Sequence, residues 1–286
     1  MAGAGGAVLG IGAAGVAVDE GWLPGQDRLR RAFGQAGPSG HIPDVAPGLV
    51  LNGSFQSQHR LGAATGWSVI YPGRHPQPLP VLVGLHGLGG THQSWIDELG
   101  IDRFLVAAVG AGVPPFAIAT VDGGTTYWHP RPDGEDAGGM VVEEFLPLLG
   151  KHGLRTDRLA FHGYSMGGYG SLRVAPIVGR PTVRAVAVLS AAVWRDPADA
   201  SPSGFANRQE YEHDTVFGHQ ADLNGIQVRL DCGTEDPFYA DDRAYVEGFP
   251  RKITSTFGAG GHDPEYWTRM MPAQLDFVGR ALGDTP

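Results

Sequence analysis

"FHGYSMGGYG", residues 161–170, sets a serine at the centre of Gly163-Tyr164-Ser165-Met166-Gly167. In a chain with 45 glycines a G-x-S-x-G match is weak by itself, so its flanks carry the meaning. Before it, "DRLAFHGYS" (157–165) reads as a strand; after it, "MGGYGSLRVAPIV" (166–178) reads as a helix. A sharp strand-to-helix turn holds the intervening serine in strained backbone geometry and requires small residues on both sides. Gly163 and Gly167 meet that need, and Gly168 leaves further room. The helix N-terminus then turns the positive end of its dipole toward the serine. The competing reading is a glycine turn with a solvated serine, and partners elsewhere in the chain must decide between the two.

Outward from this motif the chain alternates. "GWSVIYPG" (66–73), "PLPVLVGLHG" (78–87) and "FAIATVDGG" (116–124) read as strands, the second a nearly continuous apolar run of the kind buried on both faces. "AGGMVVEEFLPLLGKHG" (137–153) has apolar residues at helical spacing. Strand runs return in "VRAVAVLSAAVW" (183–194), "IQVRLDCGTED" (226–236) and "KITSTFGAGG" (252–261), and "PEYWTRMMPAQLDFVGRAL" (264–282) closes the chain as an amphipathic helix. This alternation predicts an α/β fold with a mostly parallel central sheet covered by helices on both faces. The polar stretch 195–224 lacks strong periodicity and reads as an insertion that edges the site, with no large lid.

The N-terminal part differs. "GAVLGIGAAGVAV" (6–18) is apolar and uncharged, too short to span a bilayer, and of the length of a signal-peptide core, although no Lys or Arg precedes it. Residues 24–48 are rich in Pro and Gly, and "QDRLRRAFG" (26–34) has the character of one or two helical turns. The expected organisation is a signal- or anchor-like segment and linker over 1–48, then one catalytic domain over 49–286. Export or envelope association is the expectation, with a cytoplasmic protein carrying a small packed helix as the alternative.

A formal net charge of −9 argues against a nucleic-acid partner, and with only Lys151 and Lys252 as lysines there is no polylysine membrane patch. The single cysteine, Cys232, excludes an intramolecular disulfide and a cysteine-based zinc site. No cofactor or metal is expected. His129 with Asp133 or Asp136 has no recognisable ligand spacing.

A serine hydroxyl needs a base, and the base needs an orienting acid. In a strand–turn–helix setting these follow in the order Ser, acid, His. "VRLDCGTEDPFY" (228–239) places Asp236 in the turn past a strand end; it is favoured over the strand-borne Asp231 and the neighbouring Glu235 because loops gather at strand ends. His262, in the glycine-rich "STFGAGGHDPEYW" (255–267), is the only one of 11 histidines after Asp236. An oxyanion site needs two backbone N–H donors. Met166 offers one; "LVGLHGLGG" (82–90) offers the other, with Leu88 favoured and Gly87 the alternative. His86 reads as a structural residue holding that loop, and His162 as a strand side chain. In "DGGTTYWHP" (122–130), Tyr127 and Trp128 are expected to form an aromatic substrate wall, against the alternative of a packed aromatic loop.

With serine, acid, histidine and oxyanion loop in order, the chain resembles the α/β-hydrolase superfamily over about residues 50–286. Within it, "VDGGTTYWHPRPDGEDAGGMVVEEFLPLL" (121–149) and "GYSMGGYGSL" (163–172) are similar to segments of the esterase D and antigen 85-type esterases. That family's members include carboxylesterases, thioester hydrolases and mycolyltransferases. The resemblance implies a serine esterase acting on a small-molecule ester, with short acyl chains preferred because no long apolar lid segment is visible. Acyl transfer to a sugar or other alcohol, and a non-catalytic binding protein on the same fold, are the alternatives. Nothing in the sequence fixes the oligomeric state.

Overall fold

A computed structural model describes residues 37–283. The apolar segment 6–18 and the run 26–34 lie outside the described residues. Eight strands form one sheet in the order β1-β2-β4-β3-β5-β6-β7-β8. They are β1 (Val50–Ser57), β2 (Ala63–Ile70), β3 (Pro80–Leu85), β4 (Ala117–Val121), β5 (Arg155–Ser165), β6 (Val183–Ala191), β7 (Gln227–Gly233) and β8 (Thr254–Gly258). β1 pairs antiparallel with β2, and β2 with β4; every other pair is parallel. The helices are α1 (Ser94–Asp97), α2 (Ile101–Gly110), α3 (Ala137–Met140, continuing through a π turn at Val141–Phe145 into Leu146–Lys151), α4 (Met166–Val178), α5 (Arg208–Asp214), α6 (Tyr239–Glu247) and α7 (Pro264–Gly283). No helix among the described residues is long and apolar enough to cross a membrane.

The strand pleat sorts the apolar residues onto two faces. On β3, Val81, Val83 and Leu85 join a core with Met140 and Phe145 of α3 and Leu172 of α4. Leu82 points the other way, into a core with Phe104 of α2 and Met271 and Leu275 of α7. Burial on both faces explains the unbroken apolar runs of the central strands. β1 escapes a search for such runs: it is an edge strand, and its burial alternates along "VLNGSFQS".

Part of the proline-rich stretch is docked on the body. Gly40 N–H donates to Glu265 O at 2.9 Å, Ser39 Oγ donates to Glu265 Oε2 at 2.6 Å, and Arg269 Nη1 donates to Pro38 O at 2.5 Å. These bonds tie residues 38–40 to the start of α7, beside the loop that carries His262.

The insertion 195–224 is more ordered than its polarity predicts. Asn207 caps α5 by accepting from Glu210 N–H at 3.0 Å, and Phe205, Tyr211, Val216 and Leu223 are buried beneath it. A polar cluster fastens it: Tyr169 OH donates to Asp214 O at 2.7 Å, Arg173 pairs with Asp214 at 2.5 Å, and Arg131 pairs with Glu210 at 3.2 Å and donates to Gly204 O. Burial alone would raise the Asp214 carboxyl, but the neighbouring His129 and the Arg173 charge outweigh it and hold the group down at about 2.

Two buried imidazoles make the fold acid-sensitive. His162 on β5 has no exposure, stands edge-on to Trp95 at 5.1 Å, and neither ring nitrogen has a hydrogen-bond partner; burial lowers its pKa to about 3. Burial likewise lowers His86 to about 4. Both rings fold neutral. The unfolded chain takes up these protons below about pH 6.5, whereas the native state resists until pH 4 and 3, so their contribution is intact above 6.5 and drains away as pH falls. At pH 4 each costs about 3 kcal/mol relative to neutral pH, at 1.36 kcal/mol per pKa unit. His162→Phe is therefore expected to gain stability over the parent at pH 4.5 by more than at pH 7.5, read from urea midpoints. A difference that does not grow on acidification would show that His162 is not a buried neutral imidazole.

Candidate active site

Ser165 is the last residue of β5 and the N-cap of α4, with φ 54° and ψ −126°. Such a conformation costs a non-glycine residue about 1–3 kcal/mol and persists only where surroundings enforce it. The surroundings here are two close backbone approaches. A Cβ on Gly163 would sit 2.7 Å from Gly168 N, and one on Gly167 would sit 2.7 Å from His86 O. The glycines flanking Ser165 are thus required by contact, which distinguishes this motif from an incidental glycine-rich turn. The side chain stands near the C-terminal edge of the sheet, where the register between β5 and β6 shifts at Tyr164/Ser165.

His262 Nε2 lies 2.8 Å from Ser165 Oγ, and His262 Nδ1 lies 2.9 Å from Asp236 Oδ2. A carboxylate only accepts, so Nδ1 carries the proton and Nε2 is left to accept from the serine hydroxyl. The second Asp236 oxygen accepts Phe238 N–H at 2.9 Å. The two loops are stitched together by Thr234 N–H to Gly258 O and Glu235 N–H to Gly260 O, both 2.9 Å. Asp263, one residue past His262, then caps α7 by accepting Tyr266 N–H at 2.8 Å, which fixes the start of the helix at Pro264. Phe238 and Trp267 flank the imidazole with ring centroids at 5.3 and 5.1 Å. Behind Asp236 the fully buried Asp242 is pushed well up, by burial first and by the Asp236 charge next.

The structure does not bring Asp231 to the histidine. It is buried on β7, paired with Arg229 at 2.7 Å and accepting from Gln274 at 2.9 Å. Glu235 contributes its backbone to the loop pairing instead. Met166 opens α4, so its N–H has no acceptor within the helix. Gly87 presses on the serine turn: a Cβ there would be 3.3 Å from Ser165 Cβ. Leu88 follows it, half-buried against the core.

Tyr127 and Trp128 correct the sequence reading. Both have no exposure, so neither offers an open wall to a substrate. The Trp128 indole fills space vacated by glycine, since a Cβ on Gly170 would meet its Cγ at 2.5 Å. It packs edge-on against His86 at 5.2 Å, and Tyr127 packs against Trp194 at 5.6 Å. The packed-loop alternative is the one observed. The aromatic groups beside the histidine are instead Phe238 and Trp267, and Phe238 in turn meets Trp194 at 5.6 Å. Their sequence signal is slight, an aromatic two residues after Asp236 and another five after His262.

His129 is fully engaged, with its ring nitrogens 2.8 Å from Gly204 O and 3.0 Å from Pro130 O and Nδ1 also 3.6 Å from Asp214. Asp136 caps α3 by accepting Gly139 N–H at 2.8 Å, and Asp133 accepts Glu135 N–H. Among the described residues no group of three or more His, Cys, Asp or Glu side chains is arranged to hold a metal ion. A cavity of about 480 Å³ lies between the second half of α4 and residues 213–222, and Ser165 does not line it.

Solved structures share this architecture. A ferulic acid esterase superposes with a TM-score of 0.68 at 23% identity, covering 83% of this chain and 100% of that one. An S-formylglutathione hydrolase from Agrobacterium tumefaciens superposes with a TM-score of 0.69 at 18% identity, covering 84% and 98%. The fluorophosphonate-binding serine hydrolase FphF of Staphylococcus aureus gives 0.66 at 19% identity, covering 82% and 99%. At these identities the likeness is one of fold. No curated relative matches the chain in sequence. The Esterase family, described as "Putative esterase", matches residues 58–277. With that match spanning most of a mostly parallel α/β sheet, the chain belongs to this family and is an esterase-type hydrolase of the α/β-hydrolase superfamily.

Proposed function

We propose that the protein hydrolyses short-chain carboxylic esters through an acyl-enzyme on Ser165, with His262 as general base and acid and Asp236 as its orienting carboxylate. The observation that carries this reading is the unbroken hydrogen-bond chain Asp236–His262–Ser165 at 2.9 and 2.8 Å, assembled from the ends of β7, β8 and β5. His262 Nε2 takes the hydroxyl proton as Ser165 Oγ attacks the ester carbonyl. The carbonyl oxygen becomes an oxyanion facing the N–H groups of Met166 and Leu88, at the positive end of α4. Collapse of this intermediate breaks the ester C–O bond, and His262 returns the proton to the leaving alcohol. Water then repeats the sequence on the acyl-enzyme, releasing the acid and restoring Ser165.

The short-chain preference rests on what the surface lacks. A lipase working at an oil interface needs a broad apolar face. Among the described residues the exposed large apolar side chains are Val45, Leu61 and Ile177, which lie before β1, in the β1–β2 turn and near the end of α4. They form no common patch around Ser165.

The test combines a fluorophosphonate label with a panel of p-nitrophenyl esters from acetate to palmitate. The expected adduct mass maps to the peptide containing Ser165, and kcat/KM peaks among the short acyl chains. An adduct on another residue refutes the mechanism; a maximum at palmitate refutes the chain-length preference.

A further inference from the structure

The loop after β3 is tied down by an imidazole in an unusual place. His86 Nδ1 lies 2.8 Å from Gly87 O, and His86 Nε2 accepts Gly123 N–H at 2.9 Å. A carbonyl only accepts and a backbone amide only donates, so these partners fix a single neutral tautomer, with the proton on Nδ1. Burial, which holds the ring neutral, is consistent with that state. Gly87 O also accepts Gly90 N–H at 3.0 Å, closing a turn over residues 87–90 in which Gly89 has φ +76°. The Gly87 carbonyl therefore has both of its lone pairs engaged.

That carbonyl and the Leu88 N–H belong to the same planar trans peptide unit and point in opposite directions. Whatever grips Gly87 O aims Leu88 N–H. As the second central residue's predecessor in the turn, Leu88 also keeps its N–H outside the turn's own hydrogen bond. The other end of the loop is held by the residue preceding Gly123: Asp122 Oδ1 accepts His92 N–H at 2.7 Å and lies 2.8 Å from His92 Nδ1. Trp128 closes the back of the imidazole, with its Nε1 3.4 Å from His86 O.

We infer that His86 is a positioning residue for the ester-cleaving reaction: by donating from Nδ1 to Gly87 O it orients the Gly87–Leu88 peptide so that Leu88 N–H meets the developing oxyanion. The inference rests on the Ser165 acyl-enzyme reading and adds to it a side chain that touches neither substrate nor serine. It also gives the aromatic loop after β4 a role, as the fixed support from which Gly123 and Trp128 hold that imidazole.

Two substitutions separate aiming from mere packing. In His86→Asn the amide nitrogen reaches the Nδ1 position and can still donate to Gly87 O. In His86→Gln the longer amide reaches the Nε2 position, toward Gly123, and releases the carbonyl. Since loss of one oxyanion donor typically costs about 10²–10³-fold in kcat, His86→Gln is expected to lose about 100-fold in kcat with KM little changed. Its affinity for an alkyl boronic acid, which forms a tetrahedral anion on the serine, should fall by a similar factor. His86→Asn should recover most of both. Equal kcat in the two variants, or losses that follow thermal midpoint rather than the side chain, overturns the inference. A fluorophosphonate adduct away from Ser165 in the parent protein would instead sink the underlying mechanism, so the two failures are told apart.

Discussion

Ser165→Ala is expected to abolish ester turnover to within a small residue of the parent rate, a loss on the order of 10⁵–10⁶-fold in kcat, as when the nucleophile of a serine hydrolase is removed. The alanine has no oxygen to attack the carbonyl, and His262 then has only water to activate. Binding should survive, because removing one hydroxyl opens no cavity large enough to collapse the turn. The fold should survive too. The hydroxyl's hydrogen bond runs to His262, and alanine pays the same backbone strain at φ 54° as serine does. Thermal midpoints of parent and variant should therefore agree closely, while the fluorophosphonate adduct disappears. Ser165→Gly is a useful companion, since glycine relieves the positive φ and should leave the protein inactive but somewhat more stable. Turnover in either variant within tenfold of the parent would remove Ser165 from the chemistry.

The fold was legible because its chemistry is local in the sequence. Each central strand is a run buried on both faces, so apolar continuity finds β3, β4 and β6, and glycine spacing at 163 and 167 marks where two backbones touch. The order Ser165, Asp236, His262 was legible because each follows its own strand, and the structure brings those three side chains within hydrogen-bonding distance. The choice between Asp231 and Asp236 turned on two positions. Asp231 is still inside β7, with its side chain under α7, whereas Asp236 is past the strand end, where the chain bends toward β8.

What failed to show is non-local. Tyr127 and Trp128 read as a wall because aromatic residues in a glycine-rich loop at a strand end suit a pocket. The burial of Trp128 depends on Gly170, on a helix more than forty residues away in the chain, and Tyr127 packs against Tyr169 and Trp194, at least as distant in sequence. The insertion 195–224 reads as polar because its apolar residues are scattered among charges with no helical or strand period, yet several of those charges pair with each other and with His129, Arg131 and Arg173. Polarity in sequence does not distinguish a solvated loop from one whose charges pair inward. β1 was hidden by its place at the sheet edge, where Asn52, Ser54 and Gln56 are exposed and interrupt any apolar run.

Asp236→Asn is the second large effect expected, about 10⁴-fold in kcat, through the histidine tautomer and not through loss of charge alone. The effect depends on which way the new amide must turn. Asp236 Oδ1 accepts Phe238 N–H at 2.9 Å, and a backbone N–H requires an acceptor. The asparagine oxygen therefore stays with Phe238, and its NH₂ takes the place of Oδ2, facing His262 Nδ1. An N–H opposite Nδ1 makes that nitrogen the acceptor and moves the ring proton to Nε2. Nε2 would then point a proton at Ser165 Oγ, 2.8 Å away, and could not receive one from it. The ring keeps its place between Phe238 and Trp267, so the variant should fold, bind short-chain esters with nearly unchanged KM, and turn over slowly. Nitrogen chemical shifts of His262 should report the proton on Nε2 in the variant and on Nδ1 in the parent. Asp231→Asn is the matched control: it disturbs the Arg229 pair and should lower the thermal midpoint while leaving kcat near the parent value. If Asp231→Asn carries the large kcat loss and Asp236→Asn does not, the acid has been assigned to the wrong carboxylate.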